Sequence, residues 1–246
     1  MTVTRVAGRS APESYSSDEM MAVEAARRLR DGTVCFVGIG LPSRAANLAR
    51  RTHAPRCVLV YESGTIGAKP TMLPLSIGDG ELAETADAVV SVPEMFAYWL
   101  QGGRIDVGFL GAAQIDRHGN LNSTVIGDYD SPSVRLPGAG GAPEIALGVR
   151  DVFVMLRQSP RTFVQELDFT TSLGERVRVV VTDLGIHEPR GGELALVAVH
   201  PGVEVDAVRE ATGWELEVAD DLRETEPPSR EELAALRALE TKGRNR

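Results

Sequence analysis

The run Cys57-Val58-Leu59-Val60-Tyr61, followed at once by Glu62-Ser63-Gly64, constrains the fold more than any other stretch of this chain. Five consecutive apolar, mostly β-favouring residues read as a strand buried on both faces. Such strands belong to α/β sheets covered by helices. The run stops on an acid. Gly64 can then take backbone angles that other residues avoid, so the strand is expected to end in a tight turn that carries a carboxylate. Open α/β sheets bind their ligands at the carboxyl ends of strands. Burying an unpaired carboxylate is costly. Either Glu62 pairs with a cation or caps the next helix, or it faces a crevice and serves a reaction. The residues alone leave both readings open.

The rest of the chain supports an α/β class. Ser16-Ser17-Asp18-Glu19 is a capping-box pattern. Met20, Val23, Ala26 and Leu29 follow at helical spacing as far as Asp31-Gly32. A strand is predicted over 33–37, then the glycine turn Gly38-Ile39-Gly40-Leu41-Pro42, then a helix over 43–51. Further strands are expected at 88–92, 105–110, 151–156, 177–181 and 193–199. Helices are expected at 93–100, from 142 onward, at 203–211 and from 229 to 239. Residues 1–15 and 241–246 read as loose tails. With no repeat and no low-complexity linker between them, 16–240 is expected to form one domain.

Two glycine-rich stretches stand out. Gly38-Ile39-Gly40 can be a plain tight turn, a ligand loop with an anion at the helix N-terminus, or a dinucleotide fingerprint. The fingerprint would need Ser43 as its third small residue and Glu62 as its ribose acid. Residues 111–141 crowd glycines and short polar side chains together with little periodicity. Such a segment lines a site or an interface, or is a flexible surface loop. Within it, Gly138-Ala139-Gly140-Gly141 precedes a helix start, where successive N–H groups can form an anion-binding nest. His118 reads as a turn residue and not as a base, since no second His or Cys lies near it. Phe96, Trp99 and Leu100 read as core packing.

Composition sets the outer bounds. The chain has 246 residues, 43% of them hydrophobic, enough to bury a core. The net charge of −9 and the pI near 5.1 argue against nucleic acid as a partner. An anionic ligand would need local donors, because the overall field repels it. Cys35 and Cys57 both fall in predicted strands. They read as core thiols in a reducing cytosol, with a disulfide or metal pair as the alternative. No apolar run approaches the ~20 residues of a membrane span, and the first residues lack a signal-peptide layout. A cytoplasmic protein away from the membrane is expected.

Five pieces in order carry a resemblance that spans roughly 16–239. They are Gly38–Pro42; Glu62-Ser63-Gly64; Gly111–Asp116 with Gly119–Thr124; Gly127-Asp128-Tyr129; and Gly138–Gly141. Together they resemble the family I coenzyme A transferases, most closely the B (β) subunit of glutaconate CoA-transferase. The segment 160–176 is shorter than its counterpart in that family. The resemblance implies an α/β fold with an open, mainly parallel sheet flanked by helices, of the CoA-transferase or NagB/RpiA-like type. It implies an α-type partner subunit, with acyl-CoA and a carboxylic acid as substrates, the thioester being that of a dicarboxylic or keto acid. It implies Glu62 as nucleophile, passing CoA through a glutamyl thioester. It also implies backbone donors for oxyanion and CoA at Gly138, Ala139, Gly140 and Gly141, with Gly38 and Gly40 added from the first loop. Ser63, Gln114, Asn120 and Asn122 are cleft candidates. No metal and no permanently bound cofactor are implied. The alternatives are an acyl-CoA hydrolase on the same fold, opening a ring or a C–C bond, and a non-catalytic CoA-binding subunit.

Overall fold

The structure, a computed structural model, describes residues 14–241. The tails expected at the two ends lie mostly outside these residues. The described chain forms two compact units, one of residues 14–109, 148–150 and 227–241, the other of 110–147 and 151–226.

The first unit opens with α1 (Ser17–Arg27). Its predicted capping box is formed: Glu19 N–H donates to Ser16 Oγ at 3.2 Å, and Ser16 N–H donates to the Glu19 carboxylate at 2.8 Å. There follow β1 (Val34–Phe36), α2 (Leu41–Arg51), β2 (Val58–Val60), β3 (Thr65–Ile66), α3 (Gly80–Glu84), β4 (Ala88–Val89), α4 (Val92–Glu94) and β5 (Val107–Leu110). The strand order is β5-β1-β2-β3-β4. β1 runs parallel to β2 and β5, and β3 runs antiparallel to β2 and β4. The helix predicted over 93–100 is present but changes character. After α4 the chain widens into a π-turn over Met95–Leu100, closed by Gln101 N–H donating to Phe96 O at 2.9 Å. Leu100 and Met95 are buried, and Phe96 meets Phe36 edge-on.

The second unit contains two short hairpins, β6 (Gln114–Ile115) with β7 (Leu121–Asn122) and β8 (Val125–Gly127) with β9 (Pro132–Arg135). The polar stretch expected to be irregular is therefore built from paired strands too short to show a periodic pattern. After α5 (Ala142–Gly148) come β10 (Asp151–Met155), β11 (Val177–Val181), β12 (Gly185–Arg190), β13 (Glu193–Val199), α6 (Val205–Glu210) and β14 (Glu217–Glu224). Their order is β14-β13-β12-β11-β10. β10/β11 and β13/β14 are parallel, and β12 is antiparallel to both its neighbours. Leu196, Val199, Val208, Leu216 and Leu222 form one buried cluster.

β14 escapes a reading of the sequence for a visible reason. A register shift lets Leu196 face Val218 while Ala198 faces Arg223. The buried Ala219 and Leu222 thus lie three apart, among charges, and the period of two is lost. The closing helix, α7 (Arg230–Thr241), returns to the first unit. There Arg27 binds the Glu232 carboxylate through two nitrogens, both at 2.8 Å, and Arg237 Nε donates to Glu19 at 2.6 Å.

Candidate active site

The register of β1 and β2 builds the site's floor. Val34, Cys35 and Phe36 pair with Val58, Leu59 and Val60, and Val37 N–H extends the ladder to Val60 O at 2.8 Å. Beyond these pairs the first strand runs into the Gly38 turn and the second into Glu62. Tyr61 N–H donates to Thr65 O at 3.0 Å and Gly64 N–H to Tyr61 O at 2.9 Å, so Glu62-Ser63-Gly64 is a three-residue hairpin loop. Gly64 sits at φ 102°, and a Cβ there would lie 2.0 Å from Val90 O. Val90 N–H in turn donates to Gly64 O at 2.9 Å. The loop is thus clamped on both sides, and only glycine fits the clamp.

Glu62 is half-buried at the tip of this loop. Among the described residues its carboxylate has no hydrogen-bond or ion-pair partner, and the next helix, α3, is capped by Asp79 instead. Neither a pairing nor a capping role has the contact it requires.

Polar atoms under the hairpin are also unpartnered. Tyr61 and Thr65 face each other across the strands, so their side chains share one face. Ser43, Asn47 and Arg50 of α2, at helical spacing, lie close to the Tyr61 side chain. Asn47 Nδ2 donates to Ser43 O at 3.0 Å. Tyr61 Oη, Ser63 Oγ, Thr65 Oγ1, Asn47 Oδ1 and Arg50 Nε are buried without a partner among the described residues. Burial pushes the Tyr61 phenol up; Ser43 and Asn47 lie close enough to oppose this, although neither completes a well-formed hydrogen bond to it. Burial, with Arg51 beside it, pulls Arg50 down. Cys35 and Cys57 are buried free thiols, and burial is the main force raising both.

Both glycine loops present donors. Gly40, at φ 81° and ψ −130°, precedes α2 without a side-chain cap. The N–H groups of Gly38, Ile39 and Gly40 have no partner among the described residues. In the second unit, Gly138 spends its N–H on Ser123 O at 3.0 Å, while Ser123 Oγ donates to Gly138 O at 3.0 Å. The N–H groups of Ala139, Gly140 and Gly141 remain without partners among the described residues. Of the four expected donors in that loop, three are open.

The amide side chains singled out from sequence hold the second unit together. Asn122 Nδ2 donates to Gln114 Oε1 at 2.7 Å and to Val125 O at 2.6 Å, and its Oδ1 accepts from Thr124 N–H at 3.0 Å. Gln114 Nε2 donates to Asp168 at 2.8 Å. Asn120 Nδ2 donates to Asp116 at 2.9 Å, and its Oδ1 accepts from Gly174 N–H at 2.9 Å. These bonds tie segment 168–174 to the β6–β7 hairpin. Asp168 and Thr171, whose Oγ1 accepts from Ser123 N–H at 2.9 Å, escape sequence reasoning because they sit in a polar loop without period. His118 is a turn residue: its N–H donates to Asp116 Oδ1 at 2.9 Å, and its ring Nδ1 lies 3.1 Å from Gly192 O. Among the described residues no group of three or more His, Cys, Asp or Glu is gathered as a metal would need, and no helix is long and apolar enough to cross a membrane.

Residues 18–211 match the family model described as coenzyme A transferase. This chain belongs to the coenzyme A transferase family. Its similarity to the B-type subunit of 3-oxoadipate CoA-transferase from Pseudomonas knackmussii is 59% identity, over 93% of this chain and 95% of that protein. Among solved structures, glutaconate coenzyme A-transferase from Acidaminococcus fermentans superposes with a TM-score of 0.87 at 31% identity, covering 94% of this chain and 96% of that one. The decarboxylase AibA/AibB superposes with a TM-score of 0.85 at 30% identity, over 93% of this chain and 96% of that one. The resemblance read from the five sequence pieces is thereby met, and so is the α/β class. Within this CoA-transferase chain, the Glu62 hairpin presents a carboxylate that has no partner among the described residues.

Proposed function

We propose that this chain is the B-type subunit of a heteromeric CoA-transferase, that Glu62 is its covalent nucleophile, and that its acid substrate is 3-oxoadipate or a closely similar oxo dicarboxylate. The substrate rests on likeness to the B-type subunit of the 3-oxoadipate enzyme. The nucleophile rests on one observation: a half-buried carboxylate without a partner, on a loop clamped by Gly64 and Val90. The A-type partner rests on the subunit names of the relatives.

In this reading a Glu62 oxygen attacks the thioester carbonyl and expels CoA as thiolate, leaving a mixed acyl–glutamyl anhydride. The thiolate attacks the glutamyl carbonyl and releases the first acid as its carboxylate. Glu62 now carries CoA as a thioester. A second carboxylate repeats the steps in reverse. Each addition passes through an oxyanion that backbone N–H groups can hold, and losing one such donor costs about 3 kcal/mol of barrier. The carboxylate supplies the acyl-carrying chemistry itself, so no prosthetic group is required. The thiolate steps suit a reducing cytoplasm.

The test uses the chain co-purified with its A-type partner. Incubation with acyl-CoA alone should load CoA onto this chain. Borohydride should reduce the thioester, and peptide mass analysis should place the change on the peptide containing Tyr61-Glu62-Ser63. An adduct on another residue, or none with an active enzyme, would overturn the assignment. The chain without its partner should show negligible turnover.

A further inference from the structure

We infer that Arg135, held face-on against Tyr129, is an oxyanion-binding residue for the substrate. The inference rests on the CoA-transferase reading and names a local donor that a chain of net charge −9 needs in order to hold an anionic substrate. Many other cations are already committed to acids: Arg27 to Glu232, Arg44 to Glu240, Arg56 to Asp31, Lys69 to Asp87 and Arg190 to Asp221. Arg135 has no acid within ion-pair distance among the described residues. Asp128, on the same hairpin, spends one carboxylate oxygen on the N–H groups of Asp130 and Ser131, at 2.9 and 3.0 Å. Asp130 makes no bridge to Arg135 either.

Arg135 is nevertheless fixed. It pairs with Val125 across β8 and β9, and its Nη2 donates to Tyr129 O at 2.8 Å. Its guanidinium carbon lies 5.0 Å from the centre of the Tyr129 ring. That ring stacks on Phe169, with centroids 5.5 Å apart and planes 26° apart. Phe169 follows Asp168, whose backbone N–H and carboxylate both bond Gln114. The stack therefore stands on the buried amide network. A guanidinium is a planar fork of five N–H donors, and one is used here. The rest can meet an oxyanion in the two-toothed geometry that carboxylates and phosphates share. Three residues further on begins the Gly138–Gly141 loop with its open N–H groups. Tyr129 is 53% exposed, so the platform is reachable from solvent.

The shared chemistry is an oxyanion, with two sources: the second carboxylate of a dicarboxylic acid, or a phosphate of CoA. Arg135→Gln and Arg135→Lys should be made in the complex with the A-type partner. Binding of acyl-CoA and of the oxo dicarboxylate is then measured by calorimetry, and KM and kcat by turnover with dicarboxylic and monocarboxylic acids. Acyl-CoA is also compared with acyl-pantetheine, which carries no phosphate. For Arg135→Gln we expect affinity and KM to worsen about tenfold to a hundredfold, as when one charged hydrogen-bond partner is lost, with kcat within about threefold. Arg135→Lys, which keeps the charge but not the fork, should fall between.

A penalty confined to dicarboxylic acids assigns the second carboxylate. A penalty equal for both acids that vanishes with acyl-pantetheine assigns a phosphate. Unchanged binding, or a penalty that persists for every acid and with acyl-pantetheine alike, overturns the inference and leaves Arg135 a brace of the hairpin. Tyr129→Leu frees the guanidinium without removing it and should raise the same KM about threefold, with melting temperature and assembly unchanged. If the wild-type complex binds no acyl-CoA at all, the transferase reading fails first, and calorimetry shows this before any variant is compared.

Discussion

Two hairpins with similar polar content keep opposite accounts. Around β6–β7, the amides of Gln114, Asn120 and Asn122 are bonded on both their oxygen and nitrogen sides. Around β2–β3, the Glu62 carboxylate and the oxygens of Tyr61, Ser63 and Thr65 have no partner among the described residues. A buried polar atom left unpaired costs about 1–3 kcal/mol. A fold carries several such atoms in one place only if the backbone there is over-determined. The Gly64–Val90 clamp and the parallel ladder of β1 and β2 provide that. The difference teaches where to look: the β6–β7 hairpin spends its polar groups on the fold, and the β2–β3 hairpin leaves several of its own unspent.

The largest expected effect tests the β2–β3 hairpin. Glu62→Gln removes the proposed nucleophile and no observed contact, so transfer should fall by about four orders of magnitude or more while the melting temperature barely moves. Near-normal transfer would reduce Glu62 to a structural acid. Asn122→Ala should do the reverse. It takes the carbonyl of Val125 and the N–H of Thr124 from their partner at a buried position, leaves Gln114 Oε1 with only the longer bond from Asp168 N–H, and should cost about 3 kcal/mol of stability, a drop of roughly 6–12 °C in Tm for a chain of this size. Turnover per folded molecule should survive. A well-folded Asn122→Ala complex with no activity would erase the contrast between the hairpins.

Legibility in the sequence follows the same division. Glu62, Gly64 and the first glycine turn are readable because a long apolar strand points at them and glycine leaves few alternatives. The capping box of α1 is readable because it is local. Gln114, Asn120 and Asn122 stand out as unusual, but whether an amide serves substrate or backbone depends on residues some 50 positions away, here Asp168 and Gly174. The Arg135–Tyr129–Phe169 stack is invisible for the same reason. β12 and β14 are hidden because proline, charge and a register shift mask their periodicity.

His187 tests whether an unpaired atom always marks a site. Its Nε2 lies 2.9 Å from Gln158 Oε1 and so carries the proton, leaving a buried Nδ1 without a partner among the described residues. Burial, with the charge on His200 as a lesser cause, holds its pKa down to about 3 from 6.5. The unfolded chain takes up this proton below pH 6.5 and the folded chain does not until about pH 3. Stability from His187 is therefore complete above pH 6.5 and drains away as the pH falls from there towards 3, by at most about 1.4 kcal/mol per unit. Urea midpoints at pH 7, 6, 5 and 4 should show this slope, and His187→Leu should lose that share of it. Equal slopes in both proteins would mean that His187 is not held neutral. Its orphan nitrogen belongs to stability.

The smallest expected effect is the sharpest test of what the hairpin's unpaired hydroxyls are for. Ser63 Oγ is buried and has no partner among the described residues, on the loop residue after Glu62. If that oxygen waits for nothing, Ser63→Ala removes an unmet polar group, and the protein should be unchanged or slightly more stable with turnover intact. If it waits for the substrate, stability should behave the same way while KM rises about fivefold, the scale of one neutral hydrogen bond, with kcat held. Only the second outcome fits a hairpin that keeps its polar groups for a ligand. Thr65→Val separates the loop from the strands beneath it, because Thr65 lies in β3, paired with Tyr61 and outside the loop. It should leave KM alone and shift only the melting temperature, upward if the site around its hydroxyl is dry and downward if ordered water fills it. A KM change in Thr65→Val without one in Ser63→Ala would invert this assignment and move the ligand-facing surface from the loop to the strands.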